Sequence, residues 1–388
     1  MMQTQRSHID ILLIIAVLFL MAASLGIVYS ASSSVAYEKW RSSSHLLTLH
    51  LIKVILAIGA MIVASRIPYA VYIKVTKPVL FLAVLFLLAT LALGGEVKGA
   101  SRFLRFGGLG FQPSEFARFA LIFHLCTLLT LKGDRLHDFK TGVLPMLLWI
   151  AAVTTLVFLQ PNFSTGAMIL VLGMILLFVG GARLSHLALT VASLLPIIGI
   201  YLVSAPYRVQ RLIAFFSPSA TPQGKSYQVM QAVVGFGNGG IFGVGPGGST
   251  QRDFFLPESY GDFIFSIVGE EYGLLGTVLV LIIFAFIILR GFKIARKAQD
   301  DFGRYLGIGI ISAIGLYAMV NAGVTTHLLP TTGLPMPFIS YGGSSLLFTA
   351  FAVGVLLNIS TYTDLRPREP AAQPEMAAEP ASPVGKVY

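Results

Sequence analysis

The stretch Pro257-Glu-Ser-Tyr-Gly-Asp-Phe-Ile-Phe-Ser-Ile-Val-Gly-Glu-Glu-Tyr-Gly-Leu-Leu-Gly276 decides how the rest of the chain is read. It passes from a polar loop into an apolar run, with Asp262 at the junction and Glu270 and Glu271 about two turns beyond it. Ionisable groups inside a bilayer are costly, which makes all three candidates for function. Asp immediately before an apolar helical run is also a good N-cap, and Ser259 is an alternative cap nearby. Helical spacing puts Asp262, Ser266, Gly269 or Glu270, Gly273 and Gly276 on one face, a small and polar stripe instead of a lipid-facing one.

Composition supplies the bilayer. Of 388 residues 55% are hydrophobic and 11% charged, and mean hydropathy is +0.81. So few charges do not cover a soluble surface of that size. The net charge of +10 suits a nucleic-acid binder, but most basic residues fall in short loops between apolar runs, so nucleic acid is not expected as a partner. The single Cys126 lies in an apolar run, which excludes a disulfide framework and a Cys-based metal site.

Counting apolar runs long enough to cross about 30 Å of hydrocarbon predicts an all-α polytopic protein of ten spans: about Ile9 to Ser30, His45 to Ser65, Pro78 to Gly94, Ser114 to Leu131, Val143 to Gln160, Ser164 to Gly181, Ser185 to Ala205, Phe263 to Leu289, Tyr305 to Leu328 and Ser344 to Tyr362. The first run is too long and unpunctuated for a cleaved signal peptide. Lysine and arginine crowd one set of short loops, at Arg66, Lys74, Lys77, Lys132, Arg135, Lys140, Arg183, Arg290, Lys293, Arg296, Lys297 and Arg304. The opposite short loops hold only Lys39, Arg41, Lys98, Arg102 and Arg105. Both termini are therefore expected in the cytoplasm. The long loop from Pro206 to Gly261 is then extracytoplasmic, as are those around Glu96 to Pro113 and Leu329 to Gly343. Residues 1–364 form the membrane domain, and 365–388 read as a disordered tail rich in Pro, Ala and Glu.

With this topology Lys53, Glu115, Arg118, Asp262, Glu270 and Glu271 all fall in the outer half of the bilayer, implying a polar cavity open to the outside. The competing readings are that Lys53 snorkels to headgroups and that Glu115 and Arg118, three apart, pair with each other. Glu270 and Glu271 lie too deep to snorkel easily, so at least one should meet a cation such as Lys53 or Arg118. The run Gly235 to Ser249 contains a literal G-x-G-x-x-G at Gly243 to Gly248 without a dinucleotide site's flanking strand and helix. It reads as a tight loop folded back on the membrane face, its glycines supplying positive φ; its exposed amides could also face a phosphate.

Leu256-Pro-Glu-Ser-Tyr-Gly-Asp-Phe-Ile-Phe-Ser-Ile-Val-Gly-Glu-Glu-Tyr-Gly and Leu329-Pro-Thr-Thr-Gly-Leu-Pro-Met-Pro-Phe-Ile-Ser-Tyr-Gly-Gly-Ser-Ser resemble the SEDS (shape, elongation, division and sporulation) family of bacteria. Gly99-Ala-Ser-Arg-Phe, Gln112-Pro-Ser-Glu-Phe-Ala-Arg, Gln160-Pro-Asn-Phe-Ser-Thr-Gly and Tyr207-Arg-Val-Gln-Arg match it in the same order. Gly239-Gly-Ile-Phe-Gly-Val-Gly-Pro-Gly-Gly-Ser is more similar to the FtsW division branch than to the RodA elongation branch. The chain departs from the family pattern at Tyr260-Gly261, usually His-Thr; at Asn162, usually Asp; and at Arg118, usually Lys, which changes the geometry of the charge.

The resemblance implies a ten-helix glycosyltransferase of the cytoplasmic membrane that polymerises lipid II into β-1,4 glycan strands on the outer face. Asp262 matches the family's essential aspartate and takes the role of general base. Arg208 matches its loop arginine and is assigned to the departing pyrophosphate, with Arg102 and Arg118 as weaker candidates; Arg211 and Lys225 are further basic residues of the same loop. Lys53, Glu115, Glu270 and Ser340 complete the candidate substrate contacts, Ser340 through the start of the last helix, where an anion or merely a tight Pro-Gly turn fits. A divalent cation, Mg²⁺ or Mn²⁺, is compatible with Asp262 plus a pyrophosphate but not required. Implied partners are lipid II, membrane lipids, a class B penicillin-binding protein and division proteins. A lipid II flippase and a non-catalytic scaffold are the alternatives from other classes.

Overall fold

The computed structural model describes residues 8–93, 102–106, 109–204, 206–216, 225–254 and 259–363. The helices in chain order are α1 (Ile11–Trp40), α2 (His45–Arg66), α3 (Ala70–Leu93), α4 (Pro113–Lys132), α5 (Leu144–Leu159), α6 (Phe163–Val179), α7 (Leu184–Val203), α8 (Pro206–Phe216), α9 (Lys225–Gly239), α10 (Thr250–Phe254), α11 (Ile264–Arg296), α12 (Asp301–Thr325) and α13 (Ser344–Ser360). A hairpin of β1 (Leu104–Phe106) and β2 (Leu109–Phe111), with Leu104 opposite Phe111, precedes α4. Among the described residues eight helices are long and apolar enough to cross a membrane, α5 counted with its preceding π turn over Phe139–Leu159. The shorter apolar helices α6 and α13 coincide with the sixth and tenth expected spans. The expected tail, 365–388, lies outside the described residues.

Burial sorts these helices into a centre and a rim. The apolar window of α4 is 78% buried and that of α12 67%, against 6% for α7. The periphery shows Leu, Ile and Val outward because hydrocarbon, not water, is its solvent. At the basic end of the bundle, Asp10 caps α1 by accepting the Leu13 N–H at 3.0 Å and accepts Arg290 Nε at 2.6 Å. Its own N–H donates to Ser360 Oγ at 3.1 Å. One residue thereby joins α1, α11 and α13, and α13 lies so close to α2 that a Cβ on Gly354 would come 2.3 Å from the Met61 carbonyl.

Two span boundaries are corrected. α1 runs on to Trp40 and ends at Arg41 in a left-handed conformation, φ 56. α3 begins at Ala70 with Pro78 inside it; a proline-interrupted helix is tolerated where neighbours satisfy the freed carbonyl. The described parts of the long loop fold into α8, α9 and α10.

The eighth span is not one continuous helix. At Gly273 the backbone leaves helical geometry, φ 65 and ψ −161, so the stripe expected from Asp262 to Gly276 is interrupted. Into the gap folds the glycine-rich loop after α9. Val244 N–H donates to Glu270 O at 3.0 Å and Gly245 N–H to Glu271 O at 3.0 Å, while Gly240 O and Ile241 O accept from Leu274 at 2.9 Å and Leu275 at 3.2 Å. The loop repairs the broken ladder, the condition for irregular backbone at membrane depth. A Cβ on Gly273 would lie 2.4 Å from Gly243 N. Gly240, Gly243, Gly245 and Gly247 all take positive φ, as expected for a loop folded back on the membrane face.

Candidate active site

Asp262 sits in the turn just before α11 and is held there by its main chain. Tyr341 N–H donates to Tyr260 O at 2.9 Å, Ser340 Oγ to Gly261 O at 2.8 Å and Asn321 Nδ2 to Asp262 O at 2.8 Å. The N-cap of α11 is Phe263 and makes no side-chain capping bond. The Ser259 hydroxyl goes to Ala31 O at 2.8 Å, so Ser259, the alternative cap, is spent on α1. The Asp262 carboxylate lies against Gly333, where φ is 73 and a Cβ would come 3.1 Å from Oδ2. The absence of a side chain there lets the loop pack directly against the carboxylate.

This loop also walls a cavity of about 240 Å³, lined among others by Arg102, Asn162, Ser164, Arg208, Thr331 and Leu334. Asp262 is not among its lining residues and stands behind Gly333, which is flanked by the lining residues Thr332 and Leu334. Two arginines and a helix end converge here. Arg208 lies flat on Tyr201, 3.5 Å from the ring centre, with Nη1 donating to Tyr201 O at 2.5 Å and Ser204 Oγ at 3.1 Å. Arg102 donates from Nη2 to Pro161 O. The 17-residue α6 starts at Phe163 with no side-chain cap from Asn162, and Phe163 and Ser164 line the cavity. A helix N-terminus flanked by guanidinium groups is suited to an anion.

The remaining candidates are distributed more widely. Arg118 and Glu115 pair at 2.9 Å, 3% and 2% exposed, with Arg118 3.9 Å from the Tyr317 ring centre. Tyr317 packs with Met168 and Leu334, both of which line the cavity, so the pair lies one layer behind its wall. Lys53 does not reach outward. Its Nζ stands 3.5 Å from the ring centre of Tyr341, whose ring meets Tyr260 edge-on at 5.5 Å, which joins the ammonium to the Asp262 turn through two rings. Burial pushes the Tyr260 and Tyr341 phenols up from their ordinary value, so both stay protonated near neutral pH. The side chains of Arg211 and Lys225 lie outside the described residues.

Glu270 and Glu271 belong to a different construction. Glu270 accepts from Ser249 Oγ, Thr250 N at 3.3 Å, Thr250 Oγ1 at 3.0 Å and Gln251 N at 3.4 Å. It receives the start of α10 and is not brought to the cavity. Glu271 accepts Ser30 Oγ at 2.5 Å and lies 3.7 Å from Arg252. The cation beside Glu271 is thus Arg252, in place of the expected Lys53 or Arg118. Ser340 is likewise committed to the backbone, its hydroxyl accepting Met336 N–H at 2.8 Å while donating to Gly261 O. Sequence reading passed over Arg252, an ordinary loop arginine by position, and Asn321, whose amide inside an apolar span was the available signal.

The termini brought together at the cavity and Asp262, the starts of α6, α11 and α13 and the ends of α7 and α12, are those expected on one side of the membrane. Fold and site therefore define a class: a multi-pass helical membrane protein with an arginine-lined cavity and a carboxylate at the end of the bundle away from its basic loops. A cell cycle protein family profile covering FtsW, RodA and SpoVE matches residues 10–365. The chain is 40% identical over 354 residues to a probable peptidoglycan glycosyltransferase FtsW of Geobacter metallireducens, covering 91% of this chain and 94% of that one. It is 36% identical over 365 residues to stage V sporulation protein E of Bacillus subtilis, covering 93% and 100%. A solved peptidoglycan synthase complex, described as coordinating polymerization and crosslinking, contains a chain that superposes with a TM-score of 0.75 at 26% identity, covering 91% and 97%. The rod shape determining protein RodA of Thermus thermophilus shares the fold, with a TM-score of 0.67 at 24% identity, covering 91% and 96%. The chain belongs to the FtsW/RodA/SpoVE family.

Proposed function

We propose that this chain is a peptidoglycan glycosyltransferase of the division type that polymerises lipid II at the outer face of the cytoplasmic membrane, with Asp262 as general base. The observation that carries the mechanism is the placement of Asp262 behind Gly333, at the edge of a cavity holding two arginines and the start of α6. The pyrophosphate of the lipid-linked donor occupies the cavity between Arg208, Arg102 and the α6 amides. The 4-hydroxyl of the acceptor sugar approaches Asp262, which takes its proton as the oxygen attacks the donor's anomeric carbon. The new C–O bond forms, the bond to the pyrophosphate breaks, and the leaving group departs with the electron pair toward the guanidinium groups, where its charge is stabilised. Asp262 then returns the proton to solvent.

Lys53, over Tyr341, contacts a second lipid-linked substrate. Glu115 and Arg118 back the cavity wall from behind, Glu270 holds the start of α10, and Ser340 braces the turn. Asp262 is the carboxylate that would share a divalent cation with the pyrophosphate, where such an ion would add charge stabilisation of the leaving group. The relatives' names and the synthase complex support a class B penicillin-binding protein as partner, joined by division proteins. The test is glycan-strand synthesis from lipid II by purified wild type and Asp262→Asn, each with the cognate transpeptidase, with thermal stability followed in parallel. Loss of polymer at unchanged stability is expected. Full polymerisation by the variant refutes the base, and an inactive wild type returns the question to flippase or scaffold.

A further inference from the structure

We infer that Asn321 is a positioning residue for catalysis, fixing Asp262 to the cavity wall through one side-chain amide. This rests on the reading of Asp262 as the base. Asn321 is 1% exposed near the end of α12. Its Nδ2 donates to two backbone carbonyls, Asp262 O at 2.8 Å and Leu334 O at 2.8 Å. These carbonyls belong to segments far apart in sequence. The first carries the acid; the second carries Gly333, against which the carboxylate rests, and Thr331, Thr332 and Leu334, which line the cavity. The amide is a hinge pin between the two.

Its orientation follows from the partners, because the reverse arrangement sets Oδ1 against two carbonyl oxygens. A single two-donor group of this length is needed. Asp in the same place has the same shape but presents oxygen to oxygen and pushes the turn from the loop, whereas Ala leaves both carbonyls buried and unpaired. Neither change alters the arginines or the start of α6, so occupancy of the cavity by pyrophosphate and placement of the base separate in the variants. A displacement of the base by about 1 Å costs about 100-fold in rate.

The experiment compares Asn321→Asp, Asn321→Ala, Asp262→Asn and Thr325→Ala in the purified complex with the transpeptidase, measuring kcat and KM for lipid II, affinity for undecaprenyl pyrophosphate, and Tm. Thr325 lies one turn on, fully buried, with its hydroxyl on Asn321 O at 3.0 Å, and controls for destabilisation of this part of α12. Asn321→Asp is expected to lose about 100-fold in kcat, with KM and undecaprenyl pyrophosphate affinity within about threefold of wild type. Thr325→Ala keeps wild-type kcat despite a lowered Tm. The inference is overturned if Asn321→Asp retains kcat while Asp262→Asn is inactive. It also falls if the losses in Asn321→Asp and Thr325→Ala track Tm alone, or if undecaprenyl pyrophosphate affinity falls in step with kcat. An active Asp262→Asn overturns the base itself, whatever Asn321 does.

Discussion

α11 carries its acids in two settings about 12 Å apart along the axis, and they are built in opposite ways. At Glu270 and Glu271 the carboxylates are the structural joints: they collect the start of α10, Ser30 of α1 and Arg252 around the break at Gly273. At Asp262 the joints are the backbone carbonyls of Tyr260, Gly261 and Asp262, each taken by a donor from α12 or the 340 region, while the carboxylate is turned to a glycine beside the cavity. A buried acid held by its side chain stabilises a fold. At Asp262 the turn is fixed through backbone carbonyls, so its place in the fold does not rest on the carboxylate alone.

The contrast is broken most directly at its ends. Asp262→Asn should reduce polymerisation by roughly 100- to 10,000-fold, the range of a lost general base, with Tm unchanged; Glu271→Ala should do the reverse in kind. It strands Arg252 in a buried site and should cost about 3 kcal/mol or more, read as a large fall in Tm and in yield of folded protein. A Glu271→Ala protein as stable as wild type would show that the cluster does not hold the loop. Gly273→Ala tests the same region through the backbone: with φ 65 and Gly243 N at 2.4 Å from the added carbon, about 3 kcal/mol of destabilisation is expected.

Arg208→Ala sharpens the cavity side of the comparison. Removing one charge-assisted contact to the leaving group should lower kcat/KM by about 10- to 100-fold with little change in Tm, since the residue is partly exposed. Wild-type turnover in that variant would move the pyrophosphate elsewhere. The smallest effect belongs to the tyrosines. Burial raises the Tyr260 and Tyr341 phenols, so the stability they contribute through pH is fully present below their unfolded value of about 10 and is lost only as pH rises above it. Tyr260→Phe should therefore leave both stability and the pH–rate profile between about pH 6 and 9 unchanged; a shifted basic limb would identify the phenol as a titrating participant.

Much of this was legible in the chain. Runs of apolar residues of bilayer length determined the spans, since the hydrocarbon thickness fixes how many residues each needs. The asymmetry of Lys and Arg determined which loops share a side, whereas the position of Asp262 alone suited a helix cap as well as a base, and it was the family resemblance that singled it out. The positive-φ glycines of the 240–247 loop were readable as a folded-back loop. Tertiary structure alone decided which polar groups spend themselves on one another. Glu270, Glu271, Glu115 and Asp262 look alike in sequence, but a carboxylate's role depends on the groups around it: Ser249, Arg252 and Arg118 reach the first three from about twenty positions away or a single turn along, whereas Asn321 takes the main chain of Asp262. The break at Gly273 was hidden for the same reason: helical periodicity continues through it, and only the loop packed into the gap supplies the hydrogen bonds that make breaking the helix affordable.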